Sequence, residues 1–377
     1  MDANVWLNMP WGIKLDRNPP HSPTEGISIM ATDIWYTRCP VPTASGIAFR
    51  RNMFDEEFDG SDFKVRNIKE LGREKADSHF DHSLPNSYRE GGSIPPLWAK
   101  HGGADTVMIG LTFVSDSICF YVRPDSDIRS FADLKGKRVA MGVRPYIMID
   151  FMKINAHKAW DCGLRAHGMS LDDVELVELE INDDMHANIN PDYKPGEKPP
   201  ASNMFGVEMA ALESGEVDAI WAKGCQTRQL EREESDKVRL ISDLLHDTDN
   251  MELRVNANPR IITVSGNMAR ENPEAVVRYL QVLIRASSWA AANPDECSET
   301  MATELGVSVD DINGSFVANY QDKLWPNLAD ETLHLLATQQ DFMVQHGYLP
   351  GPVDLQAWGD SSFLKQAYQR ENLPWVA

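Results

Sequence analysis

From Ile34 onward, short apolar runs alternate with longer stretches whose apolar residues recur at helical spacing, and this alternation restricts the fold more than any other feature. Strand-length runs followed by helical periods are the mark of an α/β sheet covered by helices. Val107–Val114 and Ser117–Val122 read as strands. Phe131–Ala140 reads as a helical turn, a glycine stop and a new strand carrying Arg138. Val174–Leu179 alternates as a half-buried strand should, and Val217–Trp221 and Arg260–Val264 follow it. Met204–Ser214, Pro273–Ala291, Pro294–Leu305, Ser308–Gln321 and Asp330–His346 predict helices, punctuated by Asn293-Pro294 and Gly347. The Pro-rich residues 1–30 predict an arm laid on the surface. The stretch 182–202, rich in Asp, Asn and Pro, predicts an exposed loop, and no internal repeat is present.

A chain of 377 residues accommodates two lobes. Lys and Arg total 36 against 57 Asp and Glu, so the net charge of −21 repels a phosphate backbone and argues against a nucleic-acid partner. An anion site would need local donors strong enough to overcome that field. No apolar run approaches the roughly 18–20 residues that span a bilayer, so no membrane segment is expected. The first fifteen residues lack the pattern of an export leader, and a cytoplasmic location is the expectation. The five cysteines, Cys39, Cys119, Cys162, Cys225 and Cys297, are odd in number and widely spaced. With ten scattered histidines and no metal-type spacing, the expectation is a reduced protein with no metal site.

Three segments share one grammar, in which a strand gives way to a tight connection and then a helix start. They are Thr37–Ser45, Arg89–Trp98 and Ala140–Tyr146. Proline is tolerated in the first helical turn, so Pro40 and Pro42 predict that a helix opens directly after Cys39, where free N–H groups favour a thiolate. Gly91 and Gly92 would let backbone donors approach a ligand, and Arg89 beside them offers a planar fork for an oxyanion. Cys119, between Ile118 and Phe120, reads as core, as do Cys162, Cys225 and Cys297. Cys39 stands apart because its neighbours are polar, basic or proline. His79 could be a capping histidine or a proton carrier. The aromatic residues Trp35, Tyr36, Phe80, Tyr88 and Trp98 could be core or a flat slot.

These residues carry a resemblance to a known family. Cys39-Pro40-Val41-Pro42, then His79-Phe80 ten residues before Arg89, then Gly91-Gly92-x-Ile94-Pro95-Pro96-Leu97, resemble the 2'-hydroxybiphenyl-2-sulfinate desulfinase family of microbial dibenzothiophene desulfurisation. Weaker likeness continues through Asp172–Leu176, Ser214–Ala219 and Gly306–Ser308 to Thr338–Gln340. The resemblance implies a two-lobed fold of the periplasmic-binding-protein type (type II), with the ligand cleft between the lobes. The corresponding division is a first lobe from 1–137, including the arm 1–30, a second lobe from 138–255, and a return to the first over 256–377. It further implies no cofactor, a small aromatic anion as substrate, and a monomer or dimer.

By this resemblance Cys39, His79 and Arg89 are catalytic, and the backbone of Gly92 donates to the sulfinate. Pro40, Phe80, His82, Arg144, Tyr146 and Phe205 are the expected substrate contacts. The stretch Phe49–Ser78 is longer than in the family. Arg38, His82 and Val143–Tyr146 also depart from its pattern, and these departures point to a different substrate more than to different chemistry. Cys39 would either attack sulfur or protonate the ring carbon, with His79 as proton partner. The competing readings are an aromatic decarboxylase on the same scaffold and a non-catalytic binder of aromatic or sulfonate solutes.

Overall fold

The structure is a computed structural model that describes residues 31–182 and 206–375. The expected arm 1–30, nearly all of the expected loop and Phe205 lie outside the described residues. Among the described residues, ten strands form two five-stranded sheets. In chain order they are β1 (Thr32–Arg38), β2 (Phe63–Asn67), β3 (Ser87–Gly91), β4 (Thr106–Thr112), β5 (Ile118–Val122), β6 (Arg138–Val143), β7 (Glu175–Glu180), β8 (Ala219–Lys223), β9 (Arg239–Asp243) and β10 (Arg260–Ser265).

The first sheet has the order β2-β1-β3-β10-β4 and the second β7-β6-β8-β5-β9. The two orders follow one plan. In the first, β1 is parallel to β2 and β3, while β10 runs antiparallel between β3 and β4. In the second, β6 is parallel to β7 and β8, while β5 runs antiparallel between β8 and β9. Each sheet is thus completed by a strand that arrives from the other lobe. This is the two-lobed α/β arrangement expected, with one correction. The chain enters the second lobe between β4 and β5, at residues 113–117, and not at 137/138. The five residues of β5 are all buried, so this strand had to join the sheet that covers both its faces. The return between β9 and β10 spans the expected division at 255/256.

Each sheet is sealed by helices. The 20-residue helix Pro273–Ala292 buries Val276, Leu280 and Leu283 against Ile34 and Tyr36 of β1 and the helix Ala44–Arg50. In the second lobe Trp160, on the helix Phe151–Ala166, packs on Phe120 and donates its indole N–H to the carbonyl of Ala140 at 2.8 Å. The expected helix from Ser308 ends at Ser315, because Phe316 pairs with Asp116 in the first crossing. The lobes also touch through side chains: Phe80 stacks on Phe151, and Ile149 and Ile154 join a core with Leu336 and Phe342. Among the described residues, no helix is long and apolar enough to cross a membrane.

Gly163 is where the second core is tightest. A Cβ there would lie 2.5 Å from the Phe120 ring and 2.9 Å from the Phe131 ring. Those rings already meet edge to face with centroids 4.8 Å apart, so neither can yield alone. Alanine gains about 1 kcal/mol of helix propensity, but overpacking costs about 1–3 kcal/mol. Gly163→Ala should therefore lower stability by up to about 2 kcal/mol net, read from the urea midpoint; a raised midpoint would mean that the rings shift without strain.

Candidate active site

Alternation along two neighbouring strands sorts the site residues. Thr37 lies opposite Arg89 and Arg38 opposite Glu90 in the β1–β3 ladder, and Cys39 N–H donates to the Glu90 carbonyl at 3.1 Å to extend it one step. Side chains two residues apart share a face. Thr37, Cys39, Arg89 and Gly91 therefore face one way, under the helices Ser78–Asp81 and Ile94–His101. Tyr36, Arg38, Tyr88 and Glu90 face the other way, toward Ala44–Arg50 and Pro273–Ala292. A Cβ on Gly91 would lie 2.4 Å from Cys39 Sγ. Glycine is thus needed at 91 to make room for the sulfur, a role that its place in a Gly-Gly pair did not disclose.

His79 comes down on this face from the short helix Ser78–Asp81 and is 3% exposed. Its Nδ1 is 2.8 Å from Thr37 Oγ1 and its Nε2 is 3.6 Å from Cys39 Sγ. Arg89, equally buried, donates through Nε to the His79 carbonyl at 2.9 Å and through Nη1 to the Gly92 carbonyl at 3.1 Å. Its Nη2 donates to Cys39 Sγ at 3.5 Å. The expected picture of Arg89 as a fork open to an oxyanion is thereby narrowed. Most of the guanidinium fastens the loop that carries the histidine to the turn after β3, and one nitrogen faces the sulfur. The Gly92 N–H has no acceptor among the described residues and completes this edge of the site.

Two further cations approach from elsewhere. Lys223 is the last residue of β8, ion-paired with Asp116 at 3.5 Å and donating to Asn256 Oδ1 at 3.2 Å. Arg260 is the first residue of β10 and donates to the Pro42 carbonyl at 2.8 Å. Because β10 is antiparallel to β3, its beginning meets the ends of β1 and β3. Burial pulls the pKa of Arg89, Lys223 and Arg260 down, and the electrostatic influence of Cys39 is among those that act to raise each of them. The sequence signal for these two was a basic residue at a strand end, which the motif reading passed over.

Other expected contacts are placed differently. The first helix begins at Ala44, not after Cys39, and its opening N–H groups are taken by Glu90, which accepts from Ser45 N at 2.9 Å, and by the Thr43 cap. Its dipole serves Glu90 rather than the thiol. The second start is as expected, with Pro95 and Pro96 in the first turn of Ile94–His101. After β6, by contrast, the helix waits until Phe151. Arg144 is buried and its N–H donates to Asp150 Oδ2 at 2.5 Å, while Tyr146 is 47% exposed. Phe80 meets His79 edge to face, and Pro40 is exposed. His82 turns inward and is buried, its Nδ1 3.1 Å from the Phe80 carbonyl. Arg38 points away from the site to an ion pair with Glu304.

The chain and its fold resemble several known proteins. A family model described as NMT1/THI5 like matches residues 94–191. The 2'-hydroxybiphenyl-2-sulfinate desulfinase of Rhodococcus erythropolis is 26% identical over 385 aligned positions, 94% of this chain and 98% of that one. The chain is a homologue of that desulfinase. A cysteine-to-serine mutant of the desulfinase DszB, solved in complex with biphenyl-2-sulfinic acid, superposes with a TM-score of 0.71 at 26% identity, covering 90% of this chain and 99% of that one. The aliphatic sulphonate binding protein SsuA of Escherichia coli superposes with a TM-score of 0.56 at 16% identity, covering 86% and 90%, and shows the fold alone.

Cys39 differs from the other four thiols in exposure. Cys119, Cys162, Cys225 and Cys297 are buried, and burial pushes Cys162 and Cys297 up to about 11 and Cys225 to about 12. Burial also raises Cys119 well above the usual thiol value. Iodoacetamide should therefore label Cys39 first, and Gly91→Ala, by displacing Sγ, should slow that labelling with the fold retained. Peptide mapping that finds any other cysteine modified first would contradict this picture.

Proposed function

We propose that the chain is an aryl sulfinate desulfinase that needs no cofactor. The observation carrying this reading is the convergence of His79 Nε2 and Arg89 Nη2 on Cys39 Sγ, in a chain homologous to a desulfinase over 94% of its length. The reaction is the hydrolysis of an aryl sulfinate to the arene and hydrogen sulfite. The ring C–S bond breaks, a C–H bond forms at that carbon, and sulfur gains an oxygen from water. Arg89 Nη2 and the Gly92 N–H bind the sulfinate oxygens and hold sulfur beside Cys39. Cys39 then either attacks sulfur, giving an adduct that water cleaves, or protonates the ring carbon while water takes up the departing sulfur dioxide. His79 exchanges the proton in both routes. Five free cysteines suit a reducing compartment, and we assign the protein to the cytoplasm on that ground.

Sulfite release from a panel of aryl sulfinates, with the matching aryl carboxylates as controls, tests the reaction. Cys39→Ser should cut turnover by at least about a thousandfold while ligand binding persists. Carbon dioxide release from the carboxylates, with no sulfite from the sulfinates, would transfer the site to a decarboxylase.

The local charge also bears on substrate choice. Lys223 and Arg260 lie close enough to feel Cys39. Polar groups that a ligand leaves unpaired penalise it. We expect a higher kcat/KM for a smaller or more polar aryl sulfinate than for 2'-hydroxybiphenyl-2-sulfinate. A direct competition won by the biphenyl would refute that preference.

A further inference from the structure

Thr37 precedes Cys39 by two residues and lies on the same face of β1, with Oγ1 bonded to His79 Nδ1. Behind it is a water-sized interior cavity whose lining includes Thr37, His82, Arg89, Thr263 and Ser265. His82 is 8% exposed, and because its Nδ1 donates to the Phe80 carbonyl, Nε2 is left as an acceptor. Both His82 Nε2 and Thr263 Oγ1 are buried without a hydrogen-bond partner among the described residues. Two unsatisfied groups on one small polar space are the setting in which an ordered water is held.

We propose that a single water bound between Thr37, His82 and Thr263 completes the Cys39–His79 couple, with Thr37 as the positioning residue that fixes the imidazole. The hydrogens balance along this line. When His79 Nε2 receives the proton of Cys39, Nδ1–H donates to Thr37 Oγ1, the Thr37 hydroxyl donates to the water, and the water donates to His82 Nε2. Burial, and then the positive charge of Arg89, push the His82 pKa down to about 3, so Nε2 stays unprotonated near neutrality. The role in turnover rests on the desulfinase reading, whereas the arrangement itself does not.

The test therefore reads Cys39 directly, by iodoacetamide labelling at pH 7, with sulfite release measured in parallel. Thr37→Val should slow labelling roughly tenfold, because the imidazole loses the partner that orients it, and Thr37→Ser should restore it to within about twofold. His82→Asn, which suits the left-handed backbone at φ 56°, should slow labelling less, and should add nothing in the Thr37→Val background. Should the valine variant fold poorly, Thr37→Ala carries the same expectation. Labelling of Thr37→Val at the wild-type rate, or a serine variant as slow as the valine one, would overturn the proposal. Full additivity of the His82 effect would do so too. If labelling responds as expected but no aryl sulfinate yields sulfite, the desulfinase reading fails and the relay stands.

Discussion

The hydrogen bond from Cys39 N–H to the Glu90 carbonyl carries the site. It prolongs the parallel ladder of β1 and β3 by one residue past the regular strand. That extra step sets the thiol against Gly91, where a side chain would collide with sulfur, and beside the Arg89 guanidinium. Every other site residue is placed relative to this step. His79 reaches the sulfur because its loop is fastened by Arg89 Nε, and Gly92 presents its N–H because Arg89 Nη1 holds its carbonyl. One buried arginine thus does more to assemble this edge of the site than to present an open clamp. Its replacement by lysine would remove a scaffold as well as a charge.

The charge distribution is uneven in a way that suits an anionic substrate. A molecule with net charge −21 gathers Arg89, Lys223 and Arg260 around one thiol, all largely buried. Buried cations are costly unless compensated. Here the compensation comes from Asp116 on Lys223, from Asp116 and Glu90 near Arg260, and from backbone carbonyls on Arg89. These partners leave a positive region close to the sulfur, which a compact oxyanion would neutralise on binding.

The scaffold explains why a fold shared with sulphonate binders can host chemistry. Both sheets follow one plan and each borrows a strand from the far lobe, so the two crossings lie side by side. Asn258 donates across them to the Val114 carbonyl and to Asp116, and Lys223 ties Asp116 to Asn256. Core packing between Phe80, Phe151, Ile154 and Phe342 adds a second seam between the lobes. A site built from strand ends at such a junction is held by rigid elements, which catalysis requires more than capture does.

The sequence by itself determined the fold class and the central residues. Strand and helix periods are local properties of the chain, and Cys39, His79 and Arg89 stand within short motifs whose spacing survives in a single sequence. Their meeting, however, is tertiary. Local patterning overestimated the helix-start effect at Cys39, because it could not foresee that Glu90 would take the first N–H groups. It placed the lobe boundary too late, because the partner of β5 is decided by strand pairing across more than a hundred residues. It missed Lys223 and Arg260, whose approach to the thiol depends on β8 and β10 entering their sheets in a particular order and direction. It gave no sign that His82, an expected substrate contact, would be buried against the Phe80 carbonyl. What lies within one strand or one turn was readable from the chain; what depends on which distant strand becomes a neighbour was decided only when both lobes closed their cores.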